Sequence, residues 1–167
     1  MGLAEVSTIL WRERELLELL LFKLEEEQLV LASGSSRWLA RATREVELVL
    51  TEIRRAELLR ATEVQAAASA LGLGADPSLS ALAETCAEPW AGLFREHRKA
   101  FLALTAEITA LAEVNRELIT AGARVNREAL DALSDRAFGE PAGGATYTPS
   151  GAAAPGLARA RLMDEAL

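Results

Sequence analysis

Few side chains in this sequence could carry nucleophilic, acid–base or metal chemistry. The 167 residues include one histidine, His97, and one cysteine, Cys86. One of each cannot complete a structural zinc site, which takes four nitrogen or sulfur ligands. A single cysteine also excludes an internal disulfide and suits a reducing compartment. Cys86 therefore reads as a small apolar residue, and His97 as a partly exposed residue on a helix edge. The 25 acidic side chains could do general acid–base work, but they alternate with the 18 basic ones along helix faces and form no constellation. No phosphate-binding loop, GxGxxG, CxxC, HExxH or GxSxG pattern occurs. The reading is a non-enzyme with no catalytic residue, no metal and no cofactor.

The elements that position these residues are helices. Half of the residues are hydrophobic, only 5% are aromatic, and Ala, Leu, Glu and Arg dominate. That is the composition of long helices and coiled coils. The formal net charge is −7 and the arginines are mixed with glutamates, so no basic patch for nucleic acid exists. The apolar run Leu16 to Phe22 is too short to span a bilayer and is flanked by charge. With no secretory leader visible at the start, the expected location is the cytoplasm.

The first helix is expected over about 3–33. Leu3, Leu10, Leu17, Leu24 and Leu31 recur every seven residues, with Val6, Leu20, Ile9, Leu16, Val30 and Leu21 widening the stripe. A stripe this wide faces more than one neighbour. Glu13 and Glu27 stand where leucine is expected, so either they lie at the wet edge of the seam or the seam is loose there. Gly34, Ser35 and Ser36 form a tight turn, with the serines available to cap a second helix over about 36–71. Its stripe is Leu39, Ala42, Val46, Val49, Ile53 and Ala56, widened by Leu50, Leu58 and Leu59. Its Ala-rich end contributes little burial and should be the thin end of the bundle. Asp76-Pro77 opens a short helix over about 78–87. Pro89 opens a third long one over about 89–137, with the most regular stripe in the chain: Trp90, Phe94, His97, Phe101, Leu104, Ile108, Leu111, Asn115, Leu118, Gly122, Val125 and Ala129. Asn115 either fixes helix register, as a buried amide does in a coiled coil, or faces solvent or a partner.

From Phe138 on, Pro and Gly dominate, giving a flexible tail over 138–167 with a short helix possible at its end. Its aromatics, Phe138 and Tyr147, are either partner anchors or simply exposed. The architecture expected is all-α. A long antiparallel hairpin plus a third long helix forms an elongated coiled-coil bundle over 1–137, followed by the flexible tail.

The segment RERELLELLLFKLEEEQLVL, the turn at ASGSS and the entry WLARATREVELVLTEIRRAELL resemble the flagellar export chaperones of the FlgN type, in their high-GC bacterial form. The resemblance covers about Leu3 to Ala137. It implies a cytosolic chaperone that binds the C-terminal helical segments of hook–filament junction proteins, prevents their early assembly and delivers them to the type III flagellar export gate. It further implies gate docking through an aromatic residue of the C-terminal region, and Tyr147 is the one tyrosine available. The residues themselves suit this reading, because an unclosed seam invites an added amphipathic helix. The client groove is expected along the third helix through Phe101, Leu104, Ile108, Leu111 and Leu118, covered by the tail when empty. Another reading is a structural coiled-coil adaptor that closes its seams by self-association. A third is a secreted helical effector, which the acidic, signal-less start does not favour; the W-x-G of Trp90-Ala91-Gly92 opens a long helix in a much longer chain than the small secreted hairpins that carry it, and is discounted. A monomer and a homodimer would use the same stripes.

Overall fold

Hydroxyls, glycines and prolines cut the chain into four helices in the computed structural model, which describes residues 2–75 and 77–138. The helices are α1 (Leu3–Ala32), α2 (Leu39–Leu71), α3 (Leu79–Thr85) and α4 (Trp90–Phe138), with no strand among the described residues. The fold is all-α, a long hairpin joined by a third long helix. The chain divides into two compact units, residues 1–128 and 129–167. In the second, residues 129–136 form helix whose side chains are all exposed.

Each helix end has a local cause. At the start of α1 the Glu5 carboxylate accepts from the Gly2 amide at 2.7 Å, and that bond holds the Glu5 carboxyl below its usual range. Gly34, with φ +68°, closes α1 by donating to the Leu31 carbonyl at 3.1 Å. Ser35 and Ser36 do not cap α2: the helix begins at Leu39, with Trp38 before it and no side-chain cap. Ser36 meets the helix through its backbone instead: its carbonyl accepts from the Leu39 amide at 3.4 Å. Gly72, with φ +69°, ends α2, and Leu73 donates back to the Ala68 carbonyl at 2.9 Å. Leu73 then tucks against the core, completing a Schellman close. The Ser78 hydroxyl caps α3 by accepting from the Ala81 amide at 3.1 Å. The Glu88 carboxylate accepts from the Gly92 amide at 2.9 Å in the first turn of α4 and pairs with Arg95.

The core has two parts strung along α1. Val6 and Leu10 pack with Val64, Ala67, Leu82, Ala83 and Phe94, joining all four helices at the base. Leu20 and Leu24 pack with Val46 and Val49, and Ile108, Leu111 and Ala112 of α4 lean against them. These pairings mean that α1 and α4 run the same way and α2 runs opposite. Burial of each such leucine is worth about 1.5–3 kcal/mol, far more than any exposed ion pair.

Four expectations about packing are corrected. The Ala-rich end of α2 is a well-buried end, because Ala67 and Ala68 let neighbours approach and α3 lays Leu82 on top. Glu13 and Glu27 are buried, at 6% and 5% exposure, because both have polar partners from another helix. His97 is 1% exposed, because the Trp11 ring of α1 covers it. Leu58 and Leu59 point outward and do not widen the stripe of α2.

Candidate functional site

The polar residues inside the bundle act as cross-braces. Asn115 Nδ2 of α4 donates to the Leu24 carbonyl at 2.9 Å and to Glu27 Oε2 at 3.0 Å. The Thr43 hydroxyl of α2 donates to Glu27 Oε1 at 2.8 Å. One buried carboxylate thus ties three helices together, and Asn115, 2% exposed, faces the inside of the bundle and not solvent. Toward the base, Arg60 Nε donates to Glu13 Oε1 at 3.0 Å across the hairpin. Burial pushes the Glu13 carboxyl up, and the Arg60 guanidinium pulls it partly back.

His97 sits among rings. Trp11 meets it edge-on with centroids 4.9 Å apart, and Phe101 stacks on it at 6.1 Å. Neither ring nitrogen has a hydrogen-bond partner. Burial, with Arg14 adding to it and Glu96 opposing, pushes its pKa down, so the ring is held neutral. Cys86 is half-buried against the basal cluster, and burial pushes its thiol up, away from reactivity. Among the described residues no group of three or more His, Cys, Asp or Glu could hold a metal.

One turn beyond the Glu27–Asn115 brace, the packing opens. A groove of about 530 Å³ lies between α4 and the tip of the hairpin. Val30, Leu31 and Leu39 line it from the hairpin side, and Leu118, Ile119 and Val125 from α4. Gly122 lies between the last three, and Gly34, Ser35 and Ser36 close the tip. From Ile119 to Glu128 every residue of α4 is exposed. The helix face that packs on Leu20 and Leu24 lower down thus continues upward, still apolar but uncovered among the described residues. A helix-interior glycine costs about 0.8–1 kcal/mol relative to alanine. A second open hollow of about 560 Å³, between α1 and α2, has Leu29, Val30 and Trp38 on its walls. It is rimmed by the Lys23–Glu45–Arg41 chain of ion pairs at 2.8 and 2.9 Å, which makes it the more polar of the two.

A family model described as FlgN protein matches residues 1–155. The chain belongs to the FlgN family. No curated protein and no solved structure matches it. FlgN proteins are flagellar export chaperones, which act by binding flagellar proteins. Among the described residues no helix is long and apolar enough to cross a membrane.

In this FlgN chain the five residues expected to bind a client share one face of α4 but differ in surroundings. Phe101 packs on the basal cluster and on His97. Ile108 and Leu111 pack on Leu20, Leu24, Val46 and Val49. Leu104 lies half-buried between these two groups. Leu118 alone of the five lines the open groove. Tyr147 lies outside the described residues. The sequence reading did not assign Ile119 or the hairpin-tip residues Val30, Leu31 and Leu39 to a site. Ile119 lies one position past the chosen stripe, and the tip residues carry no signal that separates groove wall from core.

Proposed function

We propose that this FlgN chain binds the C-terminal helical segments of hook–filament junction proteins in the cytoplasm, keeps them from assembling early and hands them to the flagellar export gate. The client helix lies along α4. It enters the groove at Leu118, Ile119 and Val125 and runs toward the exposed edges of Leu111, Ile108, Leu104 and Phe101. Tyr147 docks the gate. The observation that supports this is the apolar groove between α4 and the hairpin tip, where a core-type helix face stands open. Such a face accepts an amphipathic helix with anchors at i, i+3, i+4 and i+7.

The test is calorimetric titration of the purified chain with the C-terminal helical segment of a hook–filament junction protein. Ile119→Asp and Val125→Asp replace side chains that are already exposed, at 44% and 57%, so the helical content should stay the same. Each should weaken binding at least about tenfold, the effect of 1.4 kcal/mol. Unchanged affinity in both variants would remove the client from this groove. Sedimentation of the unmodified chain covers the self-associating adaptor. A concentration-independent oligomer with no affinity for the segment would replace the chaperone reading.

A further inference from the structure

α4 contains two glycines, and they differ in what the chain itself asks of them. A Cβ on Gly92 would meet the Glu88 carboxylate at 2.9 Å, the same group that accepts from the Gly92 amide. Gly92 is therefore explained by the cap at the start of the helix. Gly122 has no such cause. Its φ is not positive, since only Gly34 and Gly72 have that conformation among the described residues. A Cβ there would meet nothing within 4 Å. Neither backbone geometry nor packing within the described chain uses the missing side chain, yet the helix bears the propensity cost of a glycine.

Gly122 also has a particular place. It sits in the groove, with Leu118 and Ile119 one turn before it and Val125 and Asn126 one turn after. These larger side chains form walls about a bare stretch of backbone. A glycine in such a place is useful when another backbone comes close. We infer that Gly122 is the point of closest approach between α4 and the bound client helix, and that it selects a client with a small residue at the facing position. This rests on the chaperone reading above and deepens it, by naming the residue that sets the depth of the client helix and the residue class it must meet. The groove segment from Leu118 to Asn126 spans roughly 12 Å along the axis. The facing stretch of client is thus about two turns, with its small residue near the middle and larger apolar residues at either end.

The experiment uses the full-length chain and the same hook–filament junction segment, with Gly122→Ala, Gly122→Leu and Ile119→Asp measured side by side. The free Gly122→Ala chain should melt at a higher temperature, because alanine favours the helix. It should bind the segment several-fold more weakly, because its methyl holds the client helix off. Gly122→Leu should bind at least tenfold more weakly with its helical content intact. Replacing the facing small residue of the segment by leucine should cost a similar factor against the unmodified chain. Full affinity in both Gly122 variants, with Ile119→Asp impaired, would overturn the close-approach role and leave the groove reading standing. Full affinity in all three would overturn both. A Gly122→Leu chain that keeps the client bound but turns from oligomer to monomer is the remaining outcome. The close partner would then be a second copy, and the inference would fall.

Discussion

Asn115 of α4 donates to the Glu27 carboxylate of α1 at 3.0 Å, and Thr43 of α2 donates to the other oxygen of the same carboxylate at 2.8 Å. This brace is the last polar tie between α4 and the hairpin before the groove opens. Its position puts it at the inner end of that groove as well as making it a structural joint.

Removing one member should cost more than the hydrogen bonds it makes, because a buried polar group is left without its partner. Asn115→Ala should destabilise the chain by about 1–3 kcal/mol in urea unfolding, and Glu27→Ala should fall in the same range. The double variant should cost clearly less than the sum, as residues of one network do. Strict additivity would show that the two side chains do not act together.

Glu13 obeys the opposite logic. Burial raises its carboxyl above the ordinary value of 4.5, so the folded chain holds that proton more tightly than the unfolded one. The stability this gives is fully present below pH 4.5 and is lost as the pH climbs through the folded value. At pH 7 the ionised Glu13 is therefore a cost that Arg60 only partly offsets. Glu13→Gln should be as stable as the unmodified chain or more so at pH 7, by about 1 kcal/mol or less, with the difference gone by pH 4. Arg60→Ala should destabilise at pH 7 by about 1–2 kcal/mol, since it leaves the carboxylate unpaired. Thermal melts of both variants at the two pH values decide it; an advantage for Glu13→Gln that grows on acidification would contradict the sign.

The fold class was legible in the spacing of a few residue types. Leu3, Leu10, Leu17, Leu24 and Leu31 announce a helix that needs more than one neighbour, and Gly34 and Gly72 mark where it must turn. The buried polar residues were misread for one reason. Glu13 finds Arg60 at a separation of 47 residues, and Glu27 finds Asn115 at 88. Pairing rules for single helices reach only three or four residues, so a glutamate in a leucine position looked like an edge residue. His97 suffered in the same way, because the ring that covers it belongs to Trp11 on another helix. For the groove, the apolar stripe of α4 was visible from Trp90 to Ala129. The place where the hairpin stops covering it depends on how far the partner helices reach, and no period within α4 encodes that.

Leucines that look alike in sequence should differ sharply in weight. Leu10 is fully buried among Val6, Val64, Leu82 and Phe94, whereas Leu58 is 72% exposed. Leu10→Ala should lose about 2–5 kcal/mol, the transfer term plus the cavity left behind. Leu58→Ala should stay within about 0.5 kcal/mol. Denaturant midpoints of the two variants separate them directly, and a large loss at Leu58 would mean that its face is covered by something outside the described residues.

His97 supplies the clearest pH signature. Burial and Arg14 hold its pKa below the ordinary 6.5, with Glu96 opposing. The unfolded chain therefore takes up the proton first. The stability that the neutral ring represents is present above about pH 6.5 and is lost as the pH falls below it. The slope is at most about 1.4 kcal/mol per pH unit for one proton. Carboxylates at the ordinary value titrate lower, and a variant of His97 alone keeps the raised Glu13, so the difference between the two chains from about pH 6.5 to 5.5 reads His97. His97→Phe keeps a ring between Trp11 and Phe101 and removes two buried nitrogens that have no partner. It should be at least as stable as the unmodified chain at pH 7.5, and its melting temperature should stay level down to pH 5.5, where the unmodified chain has begun to fall. Parallel pH profiles for the two chains would show that His97 takes up its proton as easily folded as unfolded, and the neutral-ring assignment would be wrong.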